Sequence, residues 1–220
     1  MASSYIFPDI EEATEEGLLA IGGDLEPETL INAYSHGIFP WFSENDPIMW
    51  WSLSPRLILY PQEIHISKSL RRVINAKKFE VTFDTQFAQV IQHCATVQRD
   101  EENETWITKD MTEAYIKLHK LGLSHSVEVW QEGTLVGGLY GVSIGKAFFG
   151  ESMFHKVSDA SKVALVHLSQ KLKEWSFHFI DAQMVTSHLV SMGAIEIPRK
   201  EFKTMLQRAM EFPTRQGAWS

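Results

Sequence analysis

Three consecutive apolar segments in the middle of the chain constrain the fold more than any other feature. Residues 126–131, 134–142 and 147–153 are rich in β-branched and aromatic residues, which favour strands. Gly133 lies in the first connection, and the tripeptide Ile-Gly-Lys at 144–146 forms the second. Connections this short join neighbouring antiparallel strands. The stretch therefore predicts a three-stranded antiparallel meander.

The segments on either side of the meander alternate between helical and extended patterns. Residues 79–83 alternate apolar and polar side chains, as a half-buried strand does. A helix is expected to begin at Asp159, and the apolar segment Phe177–Gln183 predicts another strand. From residue 79 the predicted order is β-α-α-β-β-β-α-β-α-β. Three residues with short polar side chains are expected to cap helices: Ser67, Asp84 and Thr108.

The first sixty residues follow a different pattern. Pro40, Pro47 and Pro55 interrupt an aromatic-rich stretch and exclude a long helix there. We predict an α+β protein, with a small irregular N-terminal domain at residues 1–60 and a larger domain at residues 61–220. The order of elements in the larger domain resembles the GNAT-type acyltransferase fold, a mostly antiparallel sheet with flanking helices. In that fold the fourth and fifth strands splay apart and the acyl donor lies in the gap. Here these strands would be 147–153 and 177–183.

The cysteine count and the apolar segments limit the kind of protein. Cys94 is the single cysteine among 220 residues, so no internal disulfide can form and a cysteine-based metal site is not expected. The N-terminal sequence lacks the basic and apolar segments of a signal peptide. No apolar stretch approaches the roughly 18–20 residues that cross a bilayer. We expect a cytoplasmic protein with no metal, no cofactor and no membrane partner.

Charge is distributed unevenly along the chain. The formal net charge of −8 argues at first against a nucleic-acid partner. Acidic residues, however, are concentrated in residues 9–16 and 100–104. Basic residues without any acid occupy the segment 68–78, namely Lys68, Arg71, Arg72, Lys77 and Lys78. Such a segment is either a solvated helix face or a surface for a phosphate backbone.

Polar side chains lie near the ends of the two strands that are expected to splay. Glu151 follows one apolar strand, while Asp181 and Gln183 are two residues apart in the other and share a face. The motifs H-E-x-x-H, paired cysteines, the Walker loop and G-x-S-x-G are absent. The segment 155–162 contains no glycine, whereas the pyrophosphate of coenzyme A binds a Gly-rich turn at a helix N-terminus. A coenzyme A-dependent acetyltransferase is therefore a disfavoured alternative.

Conspicuous motifs follow one another from Gly17 to about Arg199: GLLAIGGDL (17–25), AYSHGIFPWF (33–42), DPIMWWS (46–52), HISKSLRR (65–72), ETWIT (104–108), GGLYGVSIGKAFFGESMF (137–154) and IDAQ…SHL…MGA (180–194). Together these segments resemble the bacterial leucyl/phenylalanyl-tRNA–protein transferases. The resemblance implies an enzyme that takes Leu or Phe from aminoacyl-tRNA. It would join that residue to the N-terminal amine of a protein beginning with Arg or Lys, which marks the protein for degradation by the N-degron route.

The implied reaction is aminolysis of an ester by an α-amine, which titrates at roughly 7.7–8.0 and needs only modest help to lose its proton. The resemblance assigns this chemistry to three residues. Gln183 cannot act as a base but can orient the acceptor amine. Asp181 would hold Gln183 or take the proton, and Glu151 would hold an ammonium group. Buried ion pairs at strand ends are the structural alternative for Asp181 and Glu151.

The resemblance also implies three binding surfaces. Trp41 and Trp106 match positions that stack around the terminal adenosine of the tRNA, with Tyr34 as a further candidate, although each tryptophan could instead pack a loop. A basic helix would bind acceptor-stem phosphates through Lys68, Arg71 and Arg72. Apolar residues that flank the splay are candidates for the aminoacyl pocket or for plain core: Leu139, Phe148, Leu165, Leu168 and Ile180.

Departures from the family pattern bear on acceptor preference. Thr186 stands where many members have Asn, and Ala182 stands where many have Cys. The segment WWSLSPR differs from the commoner WWSPDPR. Because Thr186 lies close to the proposed catalytic strand, a role for an amide at that position is in doubt. Transfer of Leu to acidic N-termini is therefore one alternative, and a non-catalytic adaptor for protein N-termini or tRNA ends is another.

Overall fold

The N-terminal part of the molecule contains a small antiparallel sheet. The computed structural model describes residues 5–96 and 107–219, so Trp106 and the acidic stretch 100–104 lie outside the described residues. Helix α1 spans Pro27–Ser35, with proline at its first position, where a missing N–H costs nothing. The sheet has the strand order β1-β3-β2 and is built from β1 (Leu18–Ile21), β2 (Phe39–Pro40) and β3 (Met49–Trp51).

A seven-stranded sheet forms the larger part of the molecule, in the order β10-β4-β9-β8-β7-β6-β5. Strands β6, β7 and β8 form the predicted antiparallel meander. All neighbouring pairs are antiparallel except β8 and β9, which run parallel. The strands are β4 (Arg56–Leu59), β5 (Glu80–Phe83), β6 (Ser124–Gln131), β7 (Thr134–Ile144), β8 (Ala147–His155), β9 (Phe179–Gln183) and β10 (Ile195–Ile197).

Helices cover both faces of this sheet. After the register shift near its start, side chains of β7 alternate between two hydrophobic clusters: Tyr140, Val142 and Ile144 belong to one, and Leu139 belongs to the other. The first cluster contains residues of α3, α4 and α7, and the second contains residues of α2 and α5. The helices are α2 (Lys68–Asn75), α3 (Phe87–Thr96), α4 (Lys109–Lys120), α5 (Ala160–Glu174), α6 (Ser187–Ser191) and α7 (Arg199–Met210).

The predicted helix caps have different outcomes. Ser67 and Thr108 cap α2 and α4 as predicted, each accepting a backbone N–H with its hydroxyl. The prediction for Asp84 is wrong, because α3 begins only at Phe87. The Asp84 carboxylate instead accepts hydrogen bonds from His125 Nδ1 (2.8 Å) and the backbone N–H of Trp219 (2.8 Å). Glu128 of β6 accepts the backbone N–H of Gln86 (3.3 Å), at the residue that precedes α3.

The α+β class is confirmed: a mostly antiparallel sheet with flanking helices follows a smaller N-terminal sheet. Strand β4 precedes residue 60, yet it lies within the large sheet, between β10 and β9. Residues before position 60 thus contribute to both sheets, and the domain division at residue 60 stays a prediction. Among the described residues, no helix is long and apolar enough to cross a membrane.

The parallel pair β8 and β9 separates part-way along its length. Ladder pairs join Ala147–Phe149 to Phe179–Asp181, and none is formed beyond Phe149 and Asp181. Residues 150–155 of β8 therefore keep only their β7 partners. The divergence opens a gap in the middle of the sheet, as the resemblance to the GNAT arrangement implies.

Candidate active site

A cavity of about 470 Å³ lies where β8 and β9 diverge. Residues from β7, β8, β9, α5 and α6 line it. All five apolar residues that the sequence nominates for the aminoacyl pocket border this one cavity: Leu139, Phe148, Leu165, Leu168 and Ile180. Each is almost fully buried, so the apolar end of the cavity is closed to solvent.

Glu151 enters the cavity because β8 bulges at this point. Tyr140 of β7 pairs with Ser152, whereas the next residue, Gly141, pairs with Gly150. One extra residue, Glu151, is thus left between two ladder pairs, which is the arrangement of a β-bulge. Bulges redirect side chains at the rims of sheets. Here the bulge places a carboxylate in a largely apolar cavity.

The Glu151 carboxylate is held by a chain of hydrogen bonds. Tyr115 Oη donates to Oε2 (2.9 Å), and Gln183 Nε2 donates to Oε1 (3.2 Å). Because the Tyr115 proton is directed at Glu151, Tyr34 Oη donates in turn to Tyr115 Oη. Both tyrosines are fully buried, and burial raises the pKa of each phenol well above its usual range. The tyrosines therefore remain donors at neutral pH.

Burial also changes the acidity of Glu151 itself. Removal from water raises the pKa of its carboxyl from 4.5 to about 7. The two tyrosine hydroxyls and the Arg56 charge oppose this rise, whereas the Asp181 charge adds to it. A carboxyl with a pKa near 7 can take up and release a proton under physiological conditions.

Gln183 is held by the end of strand β9. Its φ of +55° is in the left-handed region, which is unusual for a residue with a side chain. Its backbone N–H donates to Asp181 Oδ1 (3.0 Å). This contact fixes the turn that directs the Gln183 amide toward Glu151. Strain of this kind is a feature of functional sites.

Asp181 makes a buried ion pair with Arg56. Arg56 Nε donates to Oδ1 (2.8 Å) and Nη2 donates to Oδ2 (2.6 Å), and both side chains have 0% exposure. The guanidinium also lies against two rings, 4.8 Å from the centroid of Phe39 and 4.6 Å from that of Phe202. Asp181 does not line the cavity. The prediction that it takes a proton from the acceptor therefore does not agree with its position, because its carboxylate is occupied by Arg56 and sealed from substrate.

The three aromatic residues nominated for a terminal adenosine have different environments. Tyr34 is fully buried, so a base cannot stack on it, and that assignment is corrected: its position is behind Tyr115 in the chain to Glu151. Trp41 is 37% exposed and packs edge-to-face on Trp51, whose Nε1 donates to the Trp41 carbonyl (2.7 Å). Its ring thus remains available to a base. Trp106 lies outside the described residues.

The basic helix α2 presents its charges to solvent. Lys68, Arg71 and Arg72 are all exposed, and none forms an ion pair with any acid in the described part of the chain. Leu70, between them in sequence, is buried and anchors the helix in the second hydrophobic cluster. The three charges therefore share a surface that is free for an anionic partner.

Sequence reasoning missed two residues of the site. Arg56 follows a proline-rich loop, and nothing nearby in the sequence indicates that it pairs with Asp181. Tyr115 is a buried aromatic residue of α4, and no local pattern in the sequence indicates that its hydroxyl meets Glu151. Thr186 lines the cavity and caps α6 by accepting the Leu189 N–H (3.2 Å). A hydroxyl serves as such a cap, so this position needs no amide.

Comparison with known proteins agrees with this geometry. Residues 58–207 match the family model described as leucyl/phenylalanyl-tRNA protein transferase, and residues 23–59 match the model of its N-terminal domain. A leucyl/phenylalanyl-tRNA–protein transferase of Desulfatibacillum aliphaticivorans is 53% identical over 220 residues, covering 100% of this chain and 94% of that protein. The protein of the same name from Legionella pneumophila strain Corby is 53% identical over 218 residues, covering 99% and 97%.

The solved structures that match this chain are more distant. An aminoglycoside acetyltransferase from an uncultured soil metagenomic sample is 15% identical, with a TM-score of 0.40, and covers 52% of this chain and 84% of its own. A GCN5-related N-acetyltransferase from Kribbella flavida is 8% identical, with a TM-score of 0.40, and covers 74% and 58%. The family assignment rests on the sequence relatives, which match over nearly the whole length of both chains. By that measure the chain belongs to the leucyl/phenylalanyl-tRNA–protein transferase family.

Proposed function

We propose that this protein transfers Leu or Phe from aminoacyl-tRNA to the N-terminal amine of proteins that begin with Arg or Lys, marking them for degradation. The observation that carries the proposal is the cavity between β8 and β9, where an apolar pocket meets the Glu151–Gln183 pair. A Leu or Phe side chain requires an apolar pocket, and an attacking amine requires polar groups such as the Glu151–Gln183 pair. Family membership supports the same activity.

The proposed reaction forms one C–N bond and breaks one C–O bond. The neutral α-amine of the acceptor attacks the ester carbonyl, and the tetrahedral intermediate collapses to release the ribose hydroxyl of the terminal adenosine. The Gln183 amide oxygen accepts a hydrogen bond from the amine and orients it, while its NH₂ group stays on Glu151. The α-ammonium loses its proton at roughly 7.7–8.0. The nitrogen carries a further proton once the C–N bond has formed. The Glu151 carboxylate, with a pKa of about 7, is matched to accept this proton and to pass it to the leaving ribose oxygen.

Asp181 and Arg56 have a positioning role in this proposal. Asp181 accepts the backbone N–H of Gln183, and Arg56 fixes Asp181 from the neighbouring strand. Neither side chain lines the cavity, so the pair acts through its hydrogen bond to the Gln183 backbone and through the charges it places near Glu151. Trp41 would stack on the terminal adenosine, and Lys68, Arg71 and Arg72 would bind phosphates of the acceptor stem, in contacts that carry no sequence information. The reaction would take place in the cytoplasm, with no cofactor.

A second acceptor class has its own supporting observation. His155 and His188 line the cavity, and burial, with the nearby Lys162 charge, lowers the pKa of the His188 imidazole. The lowered pKa favours the neutral imidazole, so the positive charge near this opening is that of Lys162, which also meets Asp159 (3.1 Å). A cation near an opening attracts acidic partners and repels basic ones. Acceptors that begin with Asp or Glu are therefore the alternative to those that begin with Arg or Lys.

The test measures transfer of labelled Leu and Phe from aminoacyl-tRNA to four peptides that differ only in their first residue: Arg, Lys, Asp or Glu. We expect transfer to the Arg and Lys peptides, and a loss of at least roughly 100-fold in Gln183→Ala and Glu151→Gln, the usual effect of removing a group that moves or orients a proton. Transfer to Asp and Glu peptides alone would keep the chemistry and replace the acceptor class. No transfer to any peptide would refute the proposed activity.

A further inference from the structure

Gly150 differs from the other glycines of the chain in that the fold does not require it. Most of them have a positive φ, which disfavours any residue with a side chain. The exceptions on β7 are packed too closely for a side chain. At Gly138, for example, an added Cβ would lie 2.7 Å from the carbonyl oxygen of Val127.

Neither restriction applies to Gly150. Its φ is outside the left-handed region, and an added Cβ would lie 3.6 Å from the Asp181 carbonyl oxygen and 3.8 Å from Ile180 Cγ2, both ordinary van der Waals distances. Glycine inside a strand also weakens it, since it adds backbone entropy to the unfolded chain and packs no side chain. Folding alone would thus favour alanine at this position.

The space that a side chain would fill belongs to the cavity. Gly150 lines it at the point where β8 leaves β9, and the added Cβ would be directed toward β9. Phe148 and Ile180 border the apolar end on either side of this point, and Glu151 is the next residue of the chain. A methyl group on residue 150 would therefore narrow the passage between the apolar end and the polar pair.

We propose that Gly150 is a specificity-determining residue that sets the size of the donor side chain the cavity accepts. This inference rests on the proposed transfer of Leu and Phe. A phenyl ring extends further than an isobutyl group and needs the width that the glycine leaves. The absent side chain at residue 150 thus permits Phe as well as Leu.

The test is the ratio of kcat/KM for Leu-tRNA to kcat/KM for Phe-tRNA in Gly150→Ala, with one acceptor peptide held fixed. We expect the ratio to rise by roughly 10-fold or more, since one methylene in an apolar pocket changes discrimination by roughly 10–200-fold. The midpoint of thermal unfolding should not fall, because the fold has room for the methyl. A lowered midpoint, or an unchanged ratio, would overturn the inference.

Two further variants separate selectivity from general damage. Gly138→Ala adds the same methyl to the neighbouring strand, against a backbone oxygen, and should lower stability without changing the ratio. Ile180→Ala removes the side chain nearest to the added methyl, so the double variant Gly150→Ala/Ile180→Ala should recover Phe transfer relative to Gly150→Ala. If Gly150→Ala lowered kcat/KM equally for Leu-tRNA and Phe-tRNA, the residue would not select by the size of the donor side chain, and the inference would be overturned. Failure of the wild-type protein to transfer either residue would refute the proposed function instead.

Discussion

At the scale of single residues, Glu151 illustrates how a site can work against stability. Its carboxyl is half-buried in a largely apolar cavity, and two of its hydrogen bonds come from Tyr115 and Gln183. Burial still dominates and raises the pKa to about 7. The folded protein therefore disfavours the ionised form of the group on which the proposed proton transfer depends.

We predict that Glu151→Gln stabilises the protein at high pH. The folded protein, with a pKa of about 7 against 4.5 unfolded, binds this proton more tightly than the unfolded chain does. The resulting stability is fully present below pH 4.5 and is lost as the pH rises through 7. The neutral variant should thus be more stable than wild type by up to about 3 kcal/mol at pH 8, with little difference at pH 5. Urea unfolding at pH 8 and pH 5 measures this difference in stability, and the control is Glu113→Gln, a substitution of an exposed residue. An equal effect at the two pH values would contradict the pKa assignment.

We further predict that Tyr115→Phe shifts the pH dependence of transfer. The Tyr115 hydroxyl lowers the pKa of Glu151 by donating to its ionised form, so its removal should raise that pKa further above 7. Glu151 then stays protonated up to a higher pH, where it cannot accept a proton from the amine. The acid limb of kcat/KM should move to higher pH, with a loss of roughly 10-fold at neutral pH, as expected for a hydrogen bond to a charged group.

A pH–rate profile checks this expectation. Tyr60→Phe is the matched control, because Tyr60 does not line the cavity and its hydroxyl, within the described residues, donates to Met205 Sδ (3.7 Å) and not to Glu151. A profile of Tyr115→Phe that is lowered but not displaced along the pH axis would show that the hydroxyl serves packing alone.

At the scale of elements, the central problem is how β9 is held beside β8 at one end and apart from it at the other. Strand β4 pairs with β9 along its length, aligning Ile58 with Asp181 and Leu57 with Gln183. The Arg56–Asp181 pair ties the same two strands through their side chains. Strand β9 thus has a firm partner on the side away from the cavity, which allows its other edge to part from β8.

We predict that Arg56→Met costs about 3–5 kcal/mol of stability, because it leaves the Asp181 carboxylate buried without a partner. Adding Asp181→Leu should restore most of that stability, since it removes the unpaired charge. The double variant should nevertheless transfer poorly, because the Gln183 N–H has lost its acceptor. Urea unfolding and transfer rates, measured on the same preparations, separate the two effects.

An ion pair at the surface is the control for the buried Arg56–Asp181 pair. Lys117 and Glu26 are both about half exposed or more, and Lys117→Met should cost less than about 1 kcal/mol. If Arg56→Met cost as little stability as Lys117→Met, the buried ion pair would not be the contact that fixes β9 in place. Full activity in the stable double variant would remove Asp181 from the positioning of Gln183.

Local patterns predict much of this architecture, and long-range pairing explains the rest. The meander follows from short glycine-bearing turns, and caps such as Ser67 follow from hydrogen bonds within one turn. The place of β4 does not follow, because its neighbours β9 and β10 come from the far end of the chain. The wrong prediction that Asp84 caps α3 has the same reason, because one of its hydrogen-bond partners, Trp219, is distant in sequence. Within the site, the family resemblance identified Glu151 and Gln183 as candidates, whereas the role of Arg56 could be identified only from the three-dimensional structure.

At the scale of the whole molecule, a net charge of −8 coexists with a basic helix. The acids of residues 9–16 and 100–104 account for that net charge, and the rest of the chain is nearly balanced. Helix α2 carries its cations on an exposed surface, where they are strongly screened at physiological salt. We infer that the protein gains little affinity for polyanions in general, and that phosphate contacts are made locally by α2.

We predict that the KM for aminoacyl-tRNA rises steeply with salt concentration and that α2 is the reason. Each phosphate contact that releases a counterion contributes a slope of about 0.7–0.9 to log KM against log salt. Replacement of Lys68, Arg71 and Arg72 by Ala should therefore reduce this slope by about 2–3 and raise the KM at low salt. The kcat should stay close to wild type, since no residue of the helix lines the cavity.

A short donor separates the helix from the catalytic site. Aminoacyl-adenosine has no acceptor-stem phosphates, so wild type and the triple variant should use it equally well, with almost no salt dependence. Lys120→Ala removes an exposed cation from α4 and should leave the slope for full-length tRNA unchanged. A triple variant that loses activity on both donors would show a defect in folding. An unchanged slope would mean that α2 is only a solvated helix face, because counterion release depends on the phosphate contacts actually made and not on the presence of charge nearby.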